Sequence, residues 1–117
     1  LSGGQRQAMA LLMATVAKPK LLLLDEHTAA LDPTTAEKVL HITVQTVKEQ
    51  RLTTMMITHN MQSALAVGTR TVMMERGKII LDVAGAERAG MKVEDLLKRY
   101  SSRQGKQLDN DRMLLGS

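Results

Sequence analysis

The apolar positions of this chain fall into short runs and stripes separated by polar, glycine or proline breaks. From Ser2 to Ala17 the residues Met9, Leu11, Leu12, Met13 and Val16 leave almost no polar face. That pattern predicts a helix buried all round. Pro19 ends it, because proline lacks the N–H that would continue the ladder. Leu21 to Leu24 is then an unbroken apolar run, the pattern of a parallel strand covered on both faces. Asp32 and Pro33 follow as a helix start, with a capping side chain and proline at the first helical position. Ala36, Val39, Leu40, Val44 and Val47 give that helix a single apolar stripe.

Thr53 to Thr58 is a second β-rich run, closed by His59-Asn60. Asn60 can cap a short helix from Met61 to Val67, which Gly68 stops. Thr71 to Met74 and Lys78 to Val83 flank Glu75-Arg76-Gly77, a hairpin pattern. A last amphipathic helix is expected from Val93 to Tyr100, followed from Ser101 by a polar and flexible tail. Strands alternating with helices and then a hairpin predict an α/β fold. Its sheet should be mostly parallel, flanked by helices, with an antiparallel addition at one edge. Residues 1–100 then form one folded region and residues 101–117 the tail.

Composition narrows this picture. The 117 residues are 44% hydrophobic but include one Tyr and no Phe or Trp. The core must therefore be aliphatic, with nine Met as adaptable filling. There is no Cys, which excludes disulfides and thiolate metal sites. No apolar run approaches the roughly 20 residues that cross a bilayer. The formal charge of +4 is scattered, with some concentration at Lys98, Arg99, Arg103 and Lys106. It reads as a solvated helix face and tail. No aromatic residues interleave with it to stack bases, so nucleic acid is not expected as a partner.

Three stretches carry candidate chemistry. Ser2-Gly3-Gly4-Gln5 sets serine three residues before glutamine, a capping box that satisfies the free amides of a helix start. This explains Ser2 and Gln5, but not two consecutive glycines, which cost helix stability. Glycines there let a phosphate reach the backbone amides, where the helix dipole favours its charge. Leu21-Leu22-Leu23-Leu24-Asp25-Glu26 delivers two carboxylates to the C-terminal end of a strand, where ligands bind in open α/β sheets. The plain alternative is two acids ending an apolar strand at the surface. His59 follows the strand Met55-Met56-Ile57-Thr58, and Asp32 is at the least an N-cap. His41 lies within a helix and is assigned no function.

In this order, from Leu1 to Tyr100, these stretches resemble the second half of the nucleotide-binding domain of ATP-binding cassette (ABC) ATPases, a P-loop NTPase-type fold. Leu1 to Gln7 is similar to the signature motif and Leu21 to Glu26 to the Walker B strand. Ala30-Leu31-Asp32 resembles the D-loop, and His59 stands where the family places its switch histidine. The resemblance implies ATP and Mg²⁺ as cofactors. Asp25 would position Mg²⁺ through coordinated water, and Glu26 would polarise the attacking water. His59 would bond the γ-phosphate. Ser2, Gly3, Gly4 and Gln5 would contact ATP held by a second ABC ATPase domain, with Asp32 at the dimer interface.

Two positions depart from the family. His27 replaces the usual proline, leaving either a pH-sensitive contact beside the carboxylate or an inert, solvated side chain. Asn60 stands where aspartate is frequent. No Gly-x-x-x-x-Gly-Lys-Ser/Thr loop occurs. The family places that loop upstream of the signature motif, so the chain is expected to be a fragment that binds ATP poorly alone. The function implied is the ATP-hydrolysing subunit of an ABC transporter, for uptake of a small organic solute such as an amino acid. It would lie peripherally on the cytoplasmic face of the cell membrane, against transmembrane permease subunits. The alternative is a soluble ABC ATPase acting on nucleic acid or ribosomes. A non-catalytic interaction module is disfavoured, because Asp25, Glu26 and His59 are all present.

Overall fold

The computed structural model describes residues 2–102, which divide into two compact units after His59. In the first unit, α1 (Gly3–Val16) starts on the expected capping box. Ser2 Oγ accepts from the Gln5 amide and Gln5 Oε1 accepts from the Ser2 amide, both at 3.1 Å. Two orphan donors of the first turn are thereby satisfied. The chain leaves the helix through Lys18, which has φ 48°, just ahead of Pro19. Strand β1 (Leu22–Asp25) runs parallel to β2 (Thr54–Ile57), in register from Leu22↔Thr54 to Asp25↔Ile57. Between them α2 (Pro33–Gln50) begins on Asp32, whose carboxylate accepts from the Thr35 amide. It closes on Arg51 in the left-handed conformation.

The core of this unit joins Leu11 of α1 to Leu22 and Leu24 of β1, with Val47, Leu52 and Met56 packed around them. Burying each such leucine contributes about 1.5–3 kcal/mol. Two expectations change here. Helix α1 is buried only along Gly4, Leu11 and Thr15, while Leu12 and Val16 are exposed and Met13 is 72% exposed. Strand β1 alternates as well: Leu22 and Leu24 are buried, but Leu23 is 63% exposed. Leu11 and Val47, from the two helices, pack on the face of the strand pair that carries Leu22 and Leu24. Side chains alternate across a strand, so Leu21, Leu23, Met55 and Ile57 face outward.

The second unit opens with α3 (Met61–Ala66), capped as expected by Asn60 Oδ1, which accepts from the Ser63 amide at 3.0 Å. Strands β3 (Arg70–Glu75) and β4 (Lys78–Ala84) form the antiparallel hairpin. Its turn residues Arg76 and Gly77 both have positive φ, 49° and 76°. Such a turn matches the natural twist of paired strands. A bulge interrupts the ladder at Met73/Met74. A short helix not expected from the sequence, α4 (Gly85–Ala89), follows directly. A final helix, α5, covers residues 93–102, so it runs two residues into the expected tail. The remainder of that tail lies outside the described residues. Leu81, Val83 and Leu96 form the core, with Met61, Leu65, Met73 and Met91 against it.

The fold is thus mixed α/β, with one parallel and one antiparallel two-stranded sheet among the described residues. No helix among them is long and apolar enough to cross a membrane.

Candidate active site

Parallel pairing of β1 and β2 sets their C-terminal ends side by side. The ladder extends one step beyond β1, because the Glu26 amide donates to the Ile57 carbonyl at 2.8 Å. Asp25 stands exposed at the strand end, and Glu26 is its half-buried neighbour. Past Ile57 the second strand releases His59, whose Nε2 lies 2.6 Å from Glu26 Oε1. The histidine side chain is 94% exposed, so this contact is open to water and to any incoming ligand. An exposed pair of this kind contributes little to stability.

Glu26 has φ 49°, a conformation that side chains bearing a Cβ adopt at a cost. Its amide is held by Ile57, and its carbonyl accepts from Ala29 at 3.0 Å. The Leu31 amide then bonds the Thr28 carbonyl at 3.1 Å, so residues 26–31 form two successive tight turns. Within them His27 is half-buried, and its Nε2 lies 3.0 Å from Thr43 Oγ1 on α2. Burial lowers the His27 pKa from its ordinary value. His27 is therefore not the freely solvated side chain that one sequence reading allowed.

The residues singled out in the sequence fall into two groups. Glu26 and His59 meet directly, with Asp25 adjacent. Ser2 and Gln5 cap α1, Asp32 caps α2, and Gly3 and Gly4 lie where α1 packs against α2 and its entry loop. A Cβ on Gly4 would come within 2.3 Å of Thr35 Cγ2, and one on Gly3 within 3.1 Å of Leu31 Cδ2. Close approach to α2 therefore accounts for Gly4, which is buried; sequence alone offered only a phosphate for the pair of glycines. Asp32 keeps its carboxyl below the ordinary carboxylate value, first through a side-chain hydrogen bond with Thr35 and then through the Thr35 amide.

Among the described residues no cluster of three or more His, Asp or Glu side chains is gathered that could hold a metal. Mg²⁺ does not need one. It retains much of its water and takes one or two carboxylates, with substrate phosphates completing the shell. An exposed aspartate at a strand end fits that requirement.

The family description "ABC transporter" matches residues 1–29. The chain is also 48% identical over 100 residues to the tyrosine transport ATP-binding protein of Clostridioides difficile, covering 86% of this chain and 40% of that protein. The chain belongs to the ABC transporter ATP-binding family. The aliphatic sulfonates import ATP-binding proteins of Burkholderia cenocepacia and Xanthomonas axonopodis pv. citri are 44% and 45% identical over 84 residues. Each match covers 72% of this chain, and 26% and 29% of those proteins respectively. The chain therefore spans well under half the length of these relatives.

Proposed function

We propose that these residues supply the hydrolytic carboxylate, the phosphate-sensing histidine and the trans-acting helix start of an ABC ATPase that powers solute uptake. The observation that carries this reading is the Glu26–His59 contact, two functional groups brought together at the ends of adjacent parallel strands. Glu26 accepts a hydrogen bond from the attacking water and polarises it toward the γ-phosphorus of ATP. A γ-phosphate oxygen arriving at His59 Nε2 takes over the bond now made to Glu26. That exchange leaves the carboxylate to the water. Asp25 would hold Mg²⁺, which when bound would supply charge neutralisation on the phosphates. Ser2 to Gln5 serve the ATP of a second copy, with Asp32 near that interface.

In the complete domain, further strands of a mostly parallel sheet would pair at the edges of β1 and β2, and helices on the second face would cover their outward residues. The protein would work as a dimer on the cytoplasmic face of the membrane, against transmembrane permease subunits. Relatives named for tyrosine transport and sulfonate import support uptake of a small organic solute. Because both are named for transport, a soluble ATPase acting on nucleic acid or ribosomes is not favoured.

The test is Glu26→Gln in the intact ATPase. Mg-ATP binding should persist while turnover falls by about 10²–10⁴, the range for loss of a positioned base. Turnover within a few-fold of the parent would remove Glu26 from this role.

A further inference from the structure

The loop that carries the candidate base is anchored from behind. Thr43 lies on α2, sixteen residues beyond His27, and is only 2% exposed. Its hydroxyl has one hydrogen, and the Val39 carbonyl lies 2.8 Å from Oγ1 in the position to accept it. A hydroxyl that donates once can still accept. Thr43 Oγ1 is then the acceptor for His27, and His27 carries its proton on Nε2. That donor is present in both the neutral Nε2–H ring and the protonated ring, so the bond needs no change of charge. Immediately before His27 stands Glu26, whose left-handed backbone requires the surrounding structure to hold it.

We infer that His27 is a positioning residue: its bond to Thr43 ties the turn of residues 26–31 to α2 and holds the Glu26 carboxylate at its working place. This rests on the role proposed for Glu26. The hydrogen bonds from the Glu26 amide to Ile57 and from the Ala29 amide to the Glu26 carbonyl fix that residue's own peptide groups. Neither ties the turn to the helix that follows. The His27–Thr43 bond makes that connection, between a half-buried ring and a buried hydroxyl, where exchange with water is restricted. A carboxylate displaced by a fraction of an ångström loses its alignment with the attacking water, and misplacement of about 1 Å can cost on the order of 100-fold.

The experiment is steady-state ATP hydrolysis by the intact ATPase carrying His27→Ala, Thr43→Val, the double variant, His27→Gln or Glu26→Gln. Glutamine places an amide donor about as far out as Nε2. His27→Ala and Thr43→Val should each lower kcat about 10-fold or more, with the KM for Mg-ATP held within about twofold. The double variant should be no worse than the poorer single one, because both remove the same bond. His27→Gln should recover most of the loss. Unchanged kcat in His27→Ala, additive losses, or a His27→Gln variant as slow as His27→Ala would each overturn the inference. If Thr43→Val does not fold, the contrast between His27→Ala and His27→Gln decides alone. Retained turnover in Glu26→Gln would instead sink the functional reading on which this inference rests. An inactive Glu26→Gln beside a fully active His27→Ala would sink the positioning role alone.

Discussion

The two units of this chain use their polar side chains for different ends. In the first, Leu1–His59, the conspicuous polar contacts are Glu26 with His59 past the ends of β1 and β2, His27 with Thr43 on α2, and Ser2 with Gln5 at the start of α1. Its aliphatic surface is left half uncovered, with Met13, Leu23 and Ile57 all facing out. In the second unit the equivalent side chain is Arg88, and every bond it makes goes to its own fold. Its guanidinium donates to Thr71 Oγ1 at 2.8 Å and to the carbonyls of Gly68, Val67 and Ala64. Three of these acceptors lie at the end of α3 and in the loop to β3, where carbonyls have no helical partner. The comparison teaches that one region holds the candidate site on a strained backbone, while the other holds itself together.

The sharpest way to break that contrast is Arg88→Ala. It would strip one charged donor group from four acceptors, including the buried Thr71 hydroxyl. Hydrogen bonds from charged groups contribute about 1.5–3 kcal/mol, and the abandoned carbonyls are only partly compensated by water. A loss of about 2–3 kcal/mol in urea unfolding of the intact protein is expected. Arg88→Lys should recover little of it, since one ammonium cannot span the fork. Turnover per folded molecule should stay unchanged. A stable Arg88→Ala protein with reduced turnover would show that the second unit also serves the chemistry.

Much of this architecture was legible in the sequence because its signals are local. Ser2 with Gln5, Asp32 before Pro33, and Asn60 before Met61 cap helices through contacts three residues long. The turn at Arg76-Gly77 follows from strand-like runs on either side. That Glu26 and His59 each follow a strand was legible too, but the parallel pairing of β1 with β2 that brings them together came from the structure. What escaped was non-local or conformational. An all-apolar helix reports which side chains seek cover, not which neighbours supply it, so the exposure of Met13 was invisible. Gly4 against Thr35 and His27 against Thr43 join α1 and a loop to α2. The left-handed backbone of Glu26 breaks local preference at the candidate base, which is where such departures are expected. Helix α4 is five residues long, with no side-chain cap to mark its start.

That strained backbone offers a second test, of smaller size. A residue with a Cβ held at φ 49° costs about 1 kcal/mol, and asparagine tolerates the conformation better than glutamate. The exposed contact with His59 returns little when it is lost. Glu26→Asn is therefore expected to raise stability by about 0.5–1 kcal/mol while abolishing turnover. A denaturation midpoint at or below that of the parent would mean that the Glu26 backbone carries no strain worth relieving.

The smallest effect belongs to the second unit's surface pair. Arg70 on β3 reaches diagonally across the hairpin, its Nε donating to Asp82 Oδ1 at 2.7 Å. That bond, reinforced by the guanidinium charge, holds the Asp82 carboxyl below its ordinary value of 3.8, against a desolvation effect in the opposite direction. A carboxyl whose pKa is lowered by folding contributes stability above its unfolded value and loses it as pH falls through the folded one. The pair is exposed, so salt should weaken its contribution further. Asp82→Asn should therefore lower the urea midpoint slightly and by a constant amount above about pH 5. The difference should shrink as acid protonates the parent carboxylate, and shrink again in high salt. A difference that persisted unchanged at low pH and high salt would mean that Asp82 acts through hairpin packing rather than charge. The second unit would then hold itself by shape alone at that position.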